Sequence, residues 1–139
     1  MKILLIEDEK ASANIFIKYA SLVVNGYEIT WVKTMREGRD AVGTHDVIVC
    51  DLTLPDSSPM ETISTLKEWT AWPVVVYSHE NNRDIKVECL KAGVLQFLSK
   101  HNLTSDKIQS SIQDALGQSS IGRLRTLADV IDNQTDTLK

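Results

Sequence analysis

Residues 47–56 read Val47-Ile48-Val49-Cys50-Asp51-Leu52-Thr53-Leu54-Pro55-Asp56. The first four are apolar at both alternate positions, so a strand built from them has no polar face to give to water. Such a run suits a strand of a parallel sheet that is covered by helices on both sides. Asp51 then stands where the strand must end, and Pro55 closes the segment. An acid after a strand is most often a turn or cap residue. It becomes a reactive centre only where other charged side chains converge on it.

Further apolar runs of the same kind lie on either side. Lys2 to Ile6, Tyr27 to Val32, His45 to Cys50, Pro73 to Tyr77 and Val94 to Leu98 predict five strands. Between them the period changes to helical. Lys10 to Val24 carries Ile15, Tyr19, Leu22 and Val23 on one face. Met35 to Val42 is a shorter amphipathic segment. Pro59 to Trp69 carries Met60, Ile63 and Leu66, with Pro59 suited to a first turn. Asn82 to Ala92 carries Ile85, Cys89 and Leu90, and Gly93 suits a C-terminal cap. Leu103 to Leu116 carries Ile108, Ile112 and Leu116, with Thr104 or Ser105 as its cap. Strands alternating with helices predict an α/β fold, a doubly wound five-stranded parallel sheet with helices on both faces.

Composition narrows the class. A chain of 139 residues, 42% hydrophobic, fills one well-packed domain and not two. Its formal net charge of −4 offers no basic surface for nucleic acid as the main partner. No apolar run approaches the roughly 18 residues of a membrane helix. The acidic start MKILLIEDEK lacks a signal-peptide pattern. The expected location is therefore the cytoplasm. Cys50 and Cys89 lack a surrounding Cys/His cluster and read as reduced, buried thiols.

In a parallel α/β sheet, chemistry gathers outside the carboxyl ends of the strands. Those ends carry Glu7, Asp8 and Glu9 after the first strand and Asp51 after the third. Ser78, His79 and Glu80 follow the fourth, and Ser99, Lys100 and His101 the fifth. Packed carboxylates disfavour one another's ionisation, and a hard divalent cation relieves them. Mg²⁺ suits one or two carboxylates with waters and a phosphate oxygen. Lys100 adds charge and Ser78 a hydrogen-bond donor, which completes a phosphate-sized pocket.

In this order the pieces ILLIEDE, VIVCDLTLPD, VVVYS and AGVLQFLSK resemble the receiver domain of bacterial two-component response regulators, over about residues 1–118. The resemblance implies the flavodoxin-like sheet order 2-1-3-4-5. It implies that Asp51 accepts a phosphoryl group from a sensor histidine kinase or a histidine phosphotransfer protein. Asp8, Asp51 and the main-chain carbonyl of Thr53 would hold Mg²⁺ (or Mn²⁺), with Glu7 acting through a metal-bound water. Lys100 would pair with Asp51 and then with the phosphoryl oxygens. Ser78 and Phe97 would form the switch, reshaping the face of the fourth helix, fifth strand and fifth helix that a downstream protein reads. His79, Thr53 and Glu80 would modulate access to the phosphoryl group. So read, the protein is a signalling phosphoacceptor rather than an enzyme, with self-catalysed phosphorylation and dephosphorylation.

Several positions depart from the family's usual pattern. Pro59 stands where Gly commonly follows the phosphoacceptor loop, and His101 where Pro often follows the lysine. His79 replaces a small residue, Ser78 the commoner Thr, and Phe97 the commoner Tyr. Without Pro at position 101, a cis peptide there is disfavoured. Residues 119–139 carry Leu124, Leu127, Ile131 and Leu138 at helical spacing. They are expected to form an extra helix or linker, packed on the domain or pairing with a second chain as a homodimer.

Other readings fit less well. A haloacid-dehalogenase-type phosphotransferase wants a second Asp where Thr53 stands. A flavin-binding first loop would not carry Glu7-Asp8-Glu9. The runner-up is a receiver-like domain acting as a constitutive protein-interaction module, without phosphorylation.

Overall fold

A computed structural model describes residues 1–23, 26–69, 71–79 and 82–118; the expected extension over 119–139 lies outside the described residues. The elements run β1 (Lys2–Ile6), α1 (Lys10–Ala20), β2 (Glu28–Val32), α2 (Met35–Ala41), β3 (Val47–Cys50), α3 (Pro59–Glu68), β4 (Val74–Ser78), α4 (Arg83–Lys91), β5 (Gln96–Ser99) and α5 (Ser105–Gln118). The sheet order is β2-β1-β3-β4-β5 and every pairing is parallel. This is the doubly wound, flavodoxin-like arrangement expected from the sequence.

The continuous apolar runs divide by parity into two cores, as strand alternation requires. Leu4, Ile6, Ile48, Cys50, Val74 and Val76 face one way, against Met35 of α2, Ile63 and Leu66 of α3 and Cys89 of α4. Ile3, Leu5, Val47, Val49, Val75, Tyr77 and Leu98 face the other way, against Ala13, Phe16 and Ala20 of α1 and Ile108, Ile112 and Ala115 of α5. Fully burying a side chain such as Phe16 contributes roughly 1.5–3 kcal/mol.

Helix ends follow local chemistry. Ser58 and Glu61 close a capping box at the start of α3, with Pro59 in its first turn. Asn82 accepts from the N–H groups of Asp84 and Ile85 to start α4. Thr104 rather than Ser105 caps α5, accepting from Lys107 N–H at 3.2 Å. Gly93, with φ +97°, follows α4 in the left-handed conformation.

The inward face of α1 differs from expectation. Ile15 and Leu22 are 44% and 63% exposed, while Ser12, Ala13, Phe16 and Ala20 are buried. Small side chains let the helix lie close to the sheet, with Phe16 filling the remaining space. Ranking positions by apolar size selects the neighbouring stripe. Met60 and Leu90 are likewise exposed. On α3, Thr62 and Thr65 are buried instead, with their hydroxyls bonded to Ser57 and to the Glu61 carbonyl. Boundaries also move: α1 ends at Ala20 rather than Val24, β5 begins at Gln96 rather than Val94, and α5 at Ser105 rather than Leu103.

Candidate functional site

The site is built by extending the sheet one residue past its strands. Glu7 N–H donates to Val32 O (3.0 Å), Asp51 N–H to Ile6 O (2.9 Å) and Lys100 N–H to Ser78 O (3.1 Å). Each of these residues is therefore held by the strand beside it. Parity decides where their side chains go. Glu7 continues Ile3 and Leu5, Asp51 continues Val47 and Val49, and Lys100 follows Leu98, so all three lie on the α1/α5 side. Ser78 and Phe97 have the opposite parity, on the side of α4.

Lys100 Nζ lies 2.7 Å from Glu7 Oε2 and 3.0 Å from Asp51 Oδ2. Its side chain is only 4% exposed, and Glu7 is completely buried. Burial pushes the Glu7 carboxyl up to about 7, against the opposing pull of Lys100, and Asp51 adds repulsion. Burial alone would lower the Lys100 ammonium, but its bonds to Glu7 and Asp51 outweigh this and raise it. The sequence reading paired Lys100 with Asp51 alone; the fold gives it both acids.

Ligand oxygens of Glu7, Asp8 and Asp51 lie within 4.8 Å of one another. Glu7 Oε1 accepts from Glu9 N–H at 2.9 Å. Glu7 Oε2 is buried without a well-aligned hydrogen bond, although its charge is met by Lys100. Three hard oxygen donors, one of them short of partners, fit a divalent cation of the Mg²⁺ class. Thr53 is exposed beside them, and its N–H donates to Asp51 Oδ1 at 3.3 Å. Leu52 and Leu54, on either side of it, are buried and anchor the loop.

A cavity of about 370 Å³ opens on Asp51, lined by Asp8, Glu9, Asp51, Thr53, Ser78, His79 and Lys100. A second, of about 300 Å³, is lined in part by Val76, Ser78, His79, Lys86, Phe97 and His101. Ser78 and His79 belong to both. Phe97 is half-buried, with Lys86 Nζ 5.9 Å from its ring. His79 rests on the ring of His101, centroids 4.9 Å apart. No peptide bond among the described residues is cis. Glu80 lies outside the described residues.

Three neighbours escaped sequence reasoning. Trp31 Nε1 donates to Glu7 O at 2.7 Å. Tyr77 stands beneath Lys100, its ring centroid 5.3 Å from Nζ. Asp56 reaches from the loop after β3 to the start of α2, accepting from Met35 N–H (2.9 Å) and Arg36 N–H (3.0 Å). Thr34 accepts from Glu37 N–H, so the first three N–H groups of α2 are satisfied by two side chains.

Replacing Asp56 by Ala should lower the unfolding free energy by about 1 kcal/mol, the usual scale of a lost helix cap, as measured by urea denaturation at pH 7. Desolvation pushes the Asp56 carboxyl up, but the N–H groups of Met35 and Arg36 more than offset this and hold it below the usual carboxylate range. A depressed folded pKa stabilises above the unfolded value and stops doing so as pH falls through the folded one. Wild type and Asp56→Ala should therefore converge in stability below that range.

A family model described as the response regulator receiver domain matches residues 3–113. The chain belongs to that family. Among curated relatives, this receiver is 35% identical over 100 residues to the KDP operon transcriptional regulatory protein KdpE of Escherichia coli (strain K12), covering 70% of the chain and 44% of KdpE. It is 33% identical over 82 residues to KdpE of Mycobacterium tuberculosis, covering 58% of the chain and 36% of that protein. The chain thus spans less than half the length of these relatives. Among solved structures, the signal receiver domain of a putative Luxo repressor protein from Vibrio parahaemolyticus superposes with a TM-score of 0.73. It shares 22% identity over 91% of this chain and 95% of that one, a likeness of fold.

Proposed function

We propose that this receiver is the phosphoacceptor of a two-component phosphorelay, with Asp51 as the accepting residue. The observation that carries the reading is the convergence of Glu7, Asp8 and Asp51 with the buried Lys100, beside a cavity that Asp8, Asp51 and Lys100 line. An Asp51 carboxylate oxygen would bond to the phosphorus of a phosphohistidine donor as the phosphorus–nitrogen bond breaks, leaving an acyl phosphate on Asp51 and the electron pair on the imidazole. Asp8, Asp51 and the Thr53 carbonyl would hold Mg²⁺ or Mn²⁺, with Glu7 acting through a water; the cation supplies neutralising charge. A solved structural neighbour is the Mn(2+)-bound form of response regulator Rcp1, at 20% identity. Lys100 meets the charge of the transferring oxygens.

The phosphoryl group gives Ser78 a new acceptor across the boundary between the two cavities, and Phe97 turns in the second. The α4-β5-α5 face then carries the signal to a downstream protein, a local change of charge read through a two-state element. The protein acts as a signalling phosphoacceptor that catalyses its own phosphorylation and dephosphorylation.

Incubation with Mg²⁺ and a small phosphodonor, followed by intact mass, should show a gain of one phosphate. No gain with either a small donor or a cognate kinase would make the constitutive interaction module the better reading. His79 lines the Asp51 cavity and is braced by His101, so it should shield the acyl phosphate from water. His79→Ala should shorten the phosphoryl half-life roughly tenfold, about 1.4 kcal/mol of barrier. Equal half-lives in the two proteins would remove that role.

A further inference from the structure

Lys100 carries three N–H donors and no acceptor. One is donated to Asp51 Oδ2, and Glu7 Oε2 stands 2.7 Å from Nζ as a charge partner. With its side chain 4% exposed, the ammonium has little access to water. The ring of Tyr77 lies against the same ammonium, its centroid 5.3 Å from Nζ. A buried cation over an aromatic face is attracted by the ring quadrupole, more strongly when both are desolvated.

The ring is fixed. Tyr77 is 1% exposed. Its hydroxyl donates to Ser12 O in the first turn of α1 at 3.0 Å, and its ring packs at 59° on Phe16, centroids 5.3 Å apart. Ser12 in turn donates its own hydroxyl to the Glu9 carboxylate. A chain of contacts therefore runs from the acidic loop after β1, through α1 and β4, to the lysine after β5.

We infer that Tyr77 is a positioning residue for Lys100, its ring face holding the ammonium in place while the lysine exchanges a carboxylate oxygen for a phosphoryl oxygen. The inference rests on the reading of Asp51 as the phosphoacceptor. A lysine stem is flexible, so its charge needs a partner that stays put. A third carboxylate would repel the incoming phosphoryl group and compete for the same N–H groups. An uncharged π face does neither.

The test grades the ring's charge at constant shape. Tyr77→Phe keeps the face and loses only the bond to Ser12 O; it should be phosphorylated by a small donor within about twofold of wild type. Incorporating 3,4,5-trifluorophenylalanine at position 77 drains the face with little change in shape, and should slow phosphorylation roughly tenfold relative to Tyr77→Phe. The ¹H–¹⁵N signal of the Lys100 ammonium, recorded without donor, should shift and exchange faster in the fluorinated protein alone. A purely structural role would leave rate and signal unchanged between the two proteins, and that result would overturn the inference. If wild type gains no phosphate, the phosphoacceptor reading fails, while the ammonium signal still decides whether Tyr77 holds Lys100.

Discussion

Asp51→Asn should gain no phosphate under conditions in which wild type gains one, while remaining folded. The fold should persist because β3 owes its place to Val47, Ile48, Val49 and Cys50, all buried, and the Asp51 backbone bond to Ile6 is kept. The side chain, however, changes from four lone-pair sites to one carbonyl oxygen and one amide. Asp51 Oδ2 accepts from Lys100 and Oδ1 from Thr53 N–H. An Asn oxygen can meet only one of them, and its amide must face the other donor. The nucleophile is lost, and with it one charge of the Glu7–Asp8–Asp51 set, so the affinity for Mg²⁺ should fall too. Intact mass reads the first effect and calorimetric titration with Mg²⁺ the second. An unchanged mass gain in the variant would place the phosphoryl group elsewhere and end the case for Asp51.

Lys100→Met should cost about 3 kcal/mol of stability in the absence of divalent cation. Methionine keeps much of the length and the apolar stem but removes the charge. Two acids, one completely buried, are then left facing each other. Removing one partner of a buried ion pair usually costs about 3–5 kcal/mol. The lower end is expected here because Glu7, already raised to about 7, can take up a proton. Added Mg²⁺ should restore more stability to the variant than to wild type, since a bound cation replaces the missing charge. Phosphoryl uptake should fall by roughly a hundredfold or more, the scale of losing one preorganised stabiliser of transition-state charge. Urea denaturation with and without Mg²⁺ measures the first two effects; a loss of less than about 0.5 kcal/mol would show that the acids do not depend on Lys100.

What could be read in advance follows from what determined it. The strands were legible because a run such as Val47 to Cys50, apolar at both parities, has few other places to go. The meeting of Asp8, Asp51 and Lys100 was legible because a parallel sheet brings the carboxyl ends of its strands to one edge. Side-chain parity was also present in the spacing, since Glu7 lies two after Leu5 and Lys100 two after Leu98, but the edge alone does not reveal that Lys100 meets both acids. The packed face of α1 was misread because Ala13 and Ala20 matter through smallness, which hydrophobic ranking undervalues. The bond from Asp56 to Met35 spans 21 positions and exists only once α2 and the β3 loop are side by side. Tyr77 offered one clue: a buried tyrosine needs a partner for its hydroxyl. Finding that partner in the Ser12 carbonyl required the fold.

Strand alternation has one further effect at Asp51. Cys50, its immediate neighbour, turns to the opposite core, completely buried, and its thiol donates to the Asp51 carbonyl at 3.1 Å. Burial, reinforced by the charges of Asp51 and Glu7, pushes that thiol well above its ordinary range. An acyl phosphate is a mixed anhydride, and a thiolate next door would attack its acyl carbon, forming a thioester as the carbon–oxygen bond breaks and inorganic phosphate leaves. If Asp51 is the phosphoacceptor proposed above, keeping the sulfur protonated and on the far side of the sheet would insulate the message from its nearest chemical competitor.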